Sequence, residues 1–412
     1  MKFIIVFRIF CYHLAIFLTK GFIIKEFNSI LTPEIKLIIE CCKLSQNSDF
    51  IESNITLIKD WDDFLSLAYS HGIFPLVYKT LKNYTQIPTE IQNTMKRINM
   101  NIVKQNMLMT SELLKVTKLL EENGIEAISF KGPVLSLMAY GDVISRQYCD
   151  LDILVNEKLL EKAKIVLEQN KYSSKFDLED YQKENLKNTV HDISMINKIN
   201  GVNIELHWTL SSGEFFIDLE KLKYLEDTEK YTVLNQELDV FSNDKLFIYL
   251  CVHGYKHLWE RIEWLTDIYY LIQKQDIDIK KVIDIAKSVD ADRIVLSTLI
   301  IYQKIFGLQI NLKDISLIND KKLNNITDLM LEKIIKDYRV VNEKVHSKEF
   351  SIIHLYMLKT NTNKIKYLKT FLKPTEIDYE SIKLPKYLAG LYFLVRPLNI
   401  IKRVFSNQKN HN

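Results

Sequence analysis

The sequence predicts an α+β protein: a central mixed sheet with helices, flanked by N- and C-terminal helical regions. Apolar residues recur at helical spacing through much of the first third and again beyond Asp244. Between them lie short apolar or alternating runs of strand character, at Ile125–Phe130, Asp150–Val155 and Val202–Trp208. Glycine (10) and proline (7) are scarce, which favours long helices over a turn-rich all-β fold. At 412 residues the chain is long enough for about two or three domains with their own cores. It is 47% apolar and 26% charged, a globular composition. A formal charge of +3 gives no whole-molecule reason to expect nucleic acid as the main partner. With no repeat and no low-complexity linker, borders rest on composition. They divide the chain into an apolar N-terminal segment (1–30), a helical region (31–124), a core (125–235), a second helical region (236–340) and a C-terminal helical segment with tail (341–412).

Within the first segment, Phe3–Phe17 is strongly apolar but interrupted by Arg8 and His13, and no small-residue cleavage site follows. The open readings are a buried or interfacial helix, an over-long start, and a membrane anchor; for the basic, apolar segment at 385–405 they are a packed terminal helix and a helix lying on a membrane, so peripheral membrane association through 1–25 or 385–405 stays open beside a cytoplasmic location. Thr32-Pro33-Glu34 is a helix start, with a capping hydroxyl, a proline at the first helical position and an acid at the positive dipole end. Asp60–Ser70 reads as a helix stopped at His71-Gly72, Pro75–Leu81 as a shorter one, and Ile91–Asn123 as a long one ended by Gly124.

The core begins with strand Ile125–Phe130, a Lys131-Gly132-Pro133 turn, a helical Val134–Tyr140, and strand Asp150–Val155. Glu157–Gln169 is amphipathic, Tyr172–Phe176 a short strand, and Asp177–Lys187 a polar loop or exposed helix. Val190–Ile196 and Val202–Trp208 alternate as paired strands around an Asn200-Gly201 turn. Helices follow at Lys245–Leu258, Ile262–Gln273, Lys280–Ile305 and Asp320–Lys336. Phe350–Lys373 is interrupted at Thr360–Asn363 and stopped by Pro374, and an apolar, basic-flanked segment runs from Pro385 to Phe405. Cys11, Cys41, Cys42, Cys149 and Cys251 match no zinc or disulfide framework, so free thiols in a reducing, cytoplasmic compartment are expected.

Chemistry concentrates in the core. Residues two apart on a strand share a face, so Asp150 and Asp152 stand side by side among apolar neighbours. Like charges so placed repel, and a hard cation resolves the conflict. Mg²⁺ is the expected ion, with Mn²⁺ as the substitute. Glu205 and His207 form a second same-face pair. Carboxylates at Asp150, Asp152 and Glu205 suit a pair of divalent ions that clamp the attacking and leaving oxygens of a phosphoryl displacement. In the turn, Gly132 permits close backbone approach at a helix N-terminus, Lys131 offers a point charge to a triphosphate, and Arg146 offers a bidentate contact.

Each feature also has a plainer reading. An isolated Asp-x-Asp is a surface strand, Glu205 a solvated strand residue, and His207 either a partner of the site or a hydrogen-bonded sheet histidine. His191 and Asp192 read as strand-edge polar residues. His253 and His257, four apart, lack a third ligand nearby and read as packing residues, and Asp267 reads as structural. The combination and order of Lys131-Gly132, Arg146, Asp150-Leu151-Asp152 and Glu205 give the pattern of nucleotidyl transfer.

On these residues the chain resembles the uncharacterised bacterial nucleotidyltransferase family of the DNA polymerase β-like nucleotidyltransferase superfamily. The resemblance rests on Lys131-Gly132, Tyr140-Gly141-Asp142, Arg146, Asp150 to Val155 and Glu205-Leu206-His207-Trp208. Flanking matches lie at Asp60-Trp61, Leu67-Ala68 and His71-Gly72, and at His253, Arg261, Trp264-Leu265 and Asp267. It spans roughly Ile55 to Ile305. It implies a nucleotidyltransferase-type sheet and metal-dependent transfer of an NMP from an NTP, with pyrophosphate released. Asp150, Asp152 and Glu205 are then catalytic and metal-binding, and Lys131, Gly132 and Arg146 nucleotide-binding. The acceptor, whether protein, small molecule or sugar, is not implied. Pro133 stands where the superfamily usually has serine, and it has no amide hydrogen for a phosphate. The alternatives are a glycosyltransferase that holds a sugar nucleotide through Asp-x-Asp and a non-catalytic nucleotide-binding protein.

Overall fold

A computed structural model describes residues 31–174, 191–210, 217–307, 310, 320–336, 348–370 and most of 376–399. The apolar N-terminal segment, the polar stretch at 177–187, Pro374 and the tail from 406 lie outside the described residues, as does part of the segment expected at 385–405.

The fold is α+β, as predicted. Helices α1 (Pro33–Cys41), α2 (Ser48–Ile55), α3 (Trp61–Ser70) and α4 (Phe74–Leu81) come first, then the long α5 (Thr89–Glu122). The cap at α1 forms as expected, with Thr32 Oγ1 accepting from the Ile35 amide, and Asp60 caps α3 in the same way. Only α2 was not expected. Its cap is Asn47, whose side chain accepts from the Phe50 amide.

The sheet follows: β1 (Ala127–Ser129), α6 (Gly132–Tyr140), β2 (Asp150–Val155), a 3₁₀ turn, α7 (Leu160–Gln169), β3 (Tyr172–Ser174), β4 (Asp192–Asn197) and β5 (Asn203–His207). The expected hairpin of β4 and β5 forms around Gly201, whose φ of +75° is the left-handed turn conformation glycine adopts without strain. Strands β6 (Thr228–Val233) and β7 (Gln236–Phe241) were not expected. The border expected after residue 235 falls in the turn between them.

Among the described residues, seven strands form one mixed sheet in the order β3-β4-β5-β2-β1-β7-β6. β2 is central, antiparallel to β1 and parallel to β5, and β7 returns parallel to β1. From Leu151 to Val155 β2 is buried on both faces, hence its nearly unbroken apolar run. β3 pairs with Met195–Asn197, the second half of β4.

Beyond the sheet lie α8 (Asn243–Lys256), α9 (Ile262–Lys274), α10 (Ile279–Ser288), α11 (Asp292–Phe306) and α12 (Lys321–Lys336). The single helical stretch expected over 280–305 is thus two helices, divided at Val289–Ala291, where Asp290 has a positive φ. Further helices are α13 (Lys348–Met357), α14 (Asn361–Thr370) and α15 (Glu376–Ser381). One continuous hydrophobic cluster joins the early helices, the sheet and the helices from α8 to α13, while Tyr379 of α15 packs with Tyr392 in a second, small cluster. Among the described residues no helix is long and apolar enough to cross a membrane, and Cys41, Cys42, Cys149 and Cys251 are free thiols.

Candidate active site

Strand register builds the site. β2 and β5 run parallel with Asp152 opposite Glu205 and Leu154 opposite His207; β5 and β4 run antiparallel with Glu205 opposite Ser194 and His207 opposite Asp192. Directly paired residues share a face of the sheet. Asp150, Asp152, Glu205, His207 and Asp192 therefore lie on one face, as alternation predicts for each strand separately.

The side chains converge on Asp152, which is 2% exposed. Lys131 Nζ donates to Asp152 Oδ1 at 2.8 Å. His207 Nε2 lies 3.2 Å from the same oxygen and 3.8 Å from Glu205 Oε2. The His207 ring is held edge-on by Phe130, centroids 5.2 Å apart, and Lys131 lies over the ring of Tyr249 at 5.7 Å. Lys131 occupies the N-cap position of α6, so the turn that begins this helix also delivers the ammonium to β2.

The carboxylates outnumber the cations beside them. Burial acts to raise the Asp152 carboxyl, but Lys131 and His207 outweigh it and hold it well below the ordinary carboxylate range. Asp150 is raised by burial and by the charge of Asp152. Burial, Asp152, Asp150 and Asp192 together push Glu205 up to about 8. One ammonium thus satisfies one carboxylate and leaves two strained, a deficit a divalent cation would fill. The donor atoms suit one. Asp152, Glu205 and His207 offer ligand atoms all within 4.8 Å of one another, as do His191, Asp192 and His207. Asp152 Oδ2 and His207 Nδ1 are buried with no hydrogen-bond partner. Asp150 stands outside both groups.

Gly132 has a φ of +54°, and a Cβ there would lie 3.4 Å from the Asp150 carbonyl oxygen. It is this left-handed φ that favours glycine here, and the backbone that it brings near is that of β2. Pro133 lies in the first turn of α6, where its missing N–H breaks no helical hydrogen bond.

Arg146 was expected to reach phosphate, and the structure engages its guanidinium elsewhere. Its Nε donates to both Asp267 oxygens at 3.0 and 3.1 Å, and its Nη2 lies 3.2 Å from Glu263 Oε1. Tyr140 Oη donates to Asp267 at 2.8 Å. The arginine side chain is 6% exposed, and the two carboxylates are 2% and 0% exposed. Asn106 Nδ2 donates to the carbonyls of Val143 and Arg146 at 2.9 and 2.7 Å, fixing the loop that enters β2. His71 joins α3 to this cluster: its carbonyl accepts from the Glu263 amide and its Nδ1 from the Ile262 amide. Tyr140, Arg146, His71 and Asp267 thus meet in one buried network behind Asp150. Sequence reasoning assigned no role to Glu263. Its signal was two acids four apart, Glu263 and Asp267, on an otherwise apolar helix.

His253 and His257 pack against Trp264 with ring centroids 5.2 Å away in both cases, the packing role expected of them. His191 and Asp192 were expected to be marginal. They lie beside His207, the His191 and His207 rings 5.7 Å apart.

No curated protein and no solved structure matches the chain. The family model described as uncharacterised nucleotidyltransferase matches residues 59–307, more than half of the chain and the whole of the site. The chain belongs to this uncharacterised nucleotidyltransferase family and is a transferase enzyme.

Proposed function

We propose that the protein transfers an NMP from an NTP to a nucleophilic acceptor and releases pyrophosphate in a divalent-metal-dependent reaction. The observation that carries this reading is the charge deficit on the sheet face: Asp150, Asp152 and Glu205 face a single ammonium, Lys131. A divalent cation would fill such a deficit. Asp150, Asp152 and Glu205 would hold it, and when bound it supplies charge to the α-phosphate and brings the acceptor oxygen within reach.

The chain's own residues do the rest. Lys131, anchored on Asp152 at 2.8 Å, offers its remaining ammonium hydrogens to the nucleotide's phosphate oxygens. Glu205, 31% exposed and therefore reachable, accepts the acceptor's proton. The acceptor oxygen forms a bond to the α-phosphorus, the bond from that phosphorus to the β-bridging oxygen breaks, and the electron pair leaves with pyrophosphate. Arg146 acts indirectly in this scheme. Its pairing with Asp267 and Glu263 fixes the loop from which Asp150 emerges.

The test is pyrophosphate release from each NTP by purified protein with Mg²⁺ or Mn²⁺, alongside calorimetric titration of metal–NTP. Asp152→Asn is expected to abolish release and weaken binding. Equal metal–NTP binding by wild type and an Asp150→Ala/Asp152→Ala variant, with turnover by neither, refutes the proposal.

A further inference from the structure

We infer that Arg261 is a phosphate-binding residue of this site: its guanidinium fork receives the β- and γ-phosphates of the nucleotide and holds the pyrophosphate as it leaves. The inference rests on the nucleotidyl-transfer reading and adds to it a second fixed cation. In that reading Arg146 acts indirectly, so the polyphosphate otherwise meets one ammonium, Lys131, which is already shared with Asp152 at 2.8 Å.

One corner of the fold ties Arg261 to the loop that enters β2. At the C-terminal end of α3, Gln147 Nε2 donates to the Tyr69 carbonyl at 3.3 Å, and Arg261 Nε donates to the next carbonyl, that of Ser70, at 3.4 Å. His71 follows: its carbonyl accepts from the Glu263 amide at 3.2 Å and its Nδ1 from the Ile262 amide at 3.3 Å. Gly72 has a φ of +73°, and a Cβ there would lie 2.2 Å from Glu263 Oε2, so glycine lets the start of α9 sit this close. Glu263 then stands between two guanidiniums, with Oε1 3.2 Å from Arg146 Nη2 and Oε2 3.6 Å from Arg261 Nη1. Cys149, whose Sγ lies 3.8 Å from Asp150 Oδ2, feels the charge of Asp150 and that of Arg261. The outer arginine therefore faces the end of β2 that carries the first catalytic carboxylate.

The two arginines differ in what they have left to give. Arg146 is 6% exposed and its Nε is taken by Asp267, whereas Arg261 is 28% exposed. Among the described residues the Arg261 Nε–H alone has an acceptor, because 3.6 Å to Glu263 is beyond hydrogen-bond reach. Its two terminal nitrogens are free to form the paired contact that a planar fork makes with phosphate oxygens. The plainer reading is a solvated arginine at a helix start. Arg261 occupies the N-cap position of α9, where a short oxygen-bearing side chain is preferred, and it makes no capping bond. His71 satisfies those amides instead, so an arginine at this position serves nothing local to the helix. Lys256, whose Nζ lies 3.4 Å from His191 Nε2 near the start of β4, is the competing cation.

The test titrates full-length protein calorimetrically with inorganic pyrophosphate and with an α,β-methylene NTP analogue, both in Mn²⁺, and reads Mn²⁺ binding without nucleotide by electron paramagnetic resonance. Arg261→Gln is expected to weaken pyrophosphate and analogue by about tenfold or more, the loss of a charge-assisted contact, and to keep wild-type Mn²⁺ affinity. Arg261→Lys should recover part of the loss. A merely structural role would lower Mn²⁺ affinity in step, since a disturbed corner moves the loop from which Asp150 emerges. If Arg261→Gln does not fold, weaker pyrophosphate binding by Arg261→Lys at wild-type Mn²⁺ affinity supports the same assignment. Pyrophosphate bound equally by wild type and Arg261→Gln overturns the inference and leaves the transferase reading standing. A loss shared with Mn²⁺, or one seen in Lys256→Gln in place of Arg261→Gln, also overturns it. Wild type that binds neither pyrophosphate nor the analogue sinks both.

Discussion

Replacing Arg146 by Met takes the guanidinium from between Asp267 and Glu263, whose side chains are 0% and 2% exposed. Water cannot reach these carboxylates to compensate. Among the described residues, Asp267 would keep the hydrogen bond from the Tyr140 hydroxyl and Glu263 the Arg261 Nη1 at 3.6 Å. Burial already raises both carboxyls despite the arginine, Glu263 to about 7. Breaking a buried pair by removing one partner costs about 3–5 kcal/mol, and these exposures leave no reason to discount it for solvent screening. Urea unfolding followed by tryptophan fluorescence suits the site, because Trp264 directly follows Glu263 and Trp259 is fully buried. Arg146→Met should lower the unfolding free energy by that amount. Removing the orphaned charge as well, in Arg146→Met/Asp267→Asn, should recover about 1–3 kcal/mol relative to additivity. A loss below about 1 kcal/mol, the range of a surface pair, or strict additivity in the cycle, would refute the claim that this network is an isolated, mutually dependent charge cluster.

Other outcomes follow from the same contacts. Glu205 is raised from 4.5 to about 8 in the folded, ion-free protein. The folded state then binds more protons than the unfolded state between those values, so thermal stability in chelator should fall as pH rises from about 4.5 to 8. Glu263 contributes in the same direction up to about 7. Glu205→Gln should flatten the slope above pH 7, and added Mn²⁺ should stabilise wild type most at the alkaline end; a melting temperature that rises with pH in chelator contradicts the charge-deficit argument. Lys131→Met removes the cation at 2.8 Å from Asp152, and NTP affinity by calorimetry should drop by about tenfold or more, the loss of one charge-assisted contact; unchanged affinity excludes Lys131 from phosphate binding. Gly254→Ala would place a Cβ 2.1 Å from the fully buried Trp259 ring, so it should cost about 1–3 kcal/mol by overpacking, read as a lower urea midpoint; an unchanged midpoint means that the ring is free to shift.

The legible parts of this protein were local ones. Helix starts at Thr32 and Asp60 announce themselves through a capping side chain and an acidic first turn, and both caps form. The β4–β5 hairpin was legible because Gly201 supplies the positive φ between two alternating runs. The β6–β7 hairpin was not. Its turn residue is Leu234, which adopts a φ of +55° against its preference, so no glycine marks the turn. Strand β7 is aligned by pairing with β1, more than a hundred residues earlier, and no local pattern states that partner.

The sequence by itself determined which carboxylates share a face, because a strand alternates whatever it packs against: Asp150 with Asp152, and Glu205 with His207. It also placed Lys131 and Gly132 at the mouth of a helix that begins beside β2. Tertiary structure alone decided how those faces meet. The parallel register of β2 and β5 set Asp152 opposite Glu205 and brought His207 Nε2 to 3.2 Å from Asp152, which made a histidine of open meaning a partner of the site. Tertiary structure also paired Arg146 with Asp267, 121 residues along the chain. An arginine's charge is visible in any sequence, but its partner is chosen by whichever buried carboxylates the fold leaves uncompensated, and that balance exists only once the chain has packed.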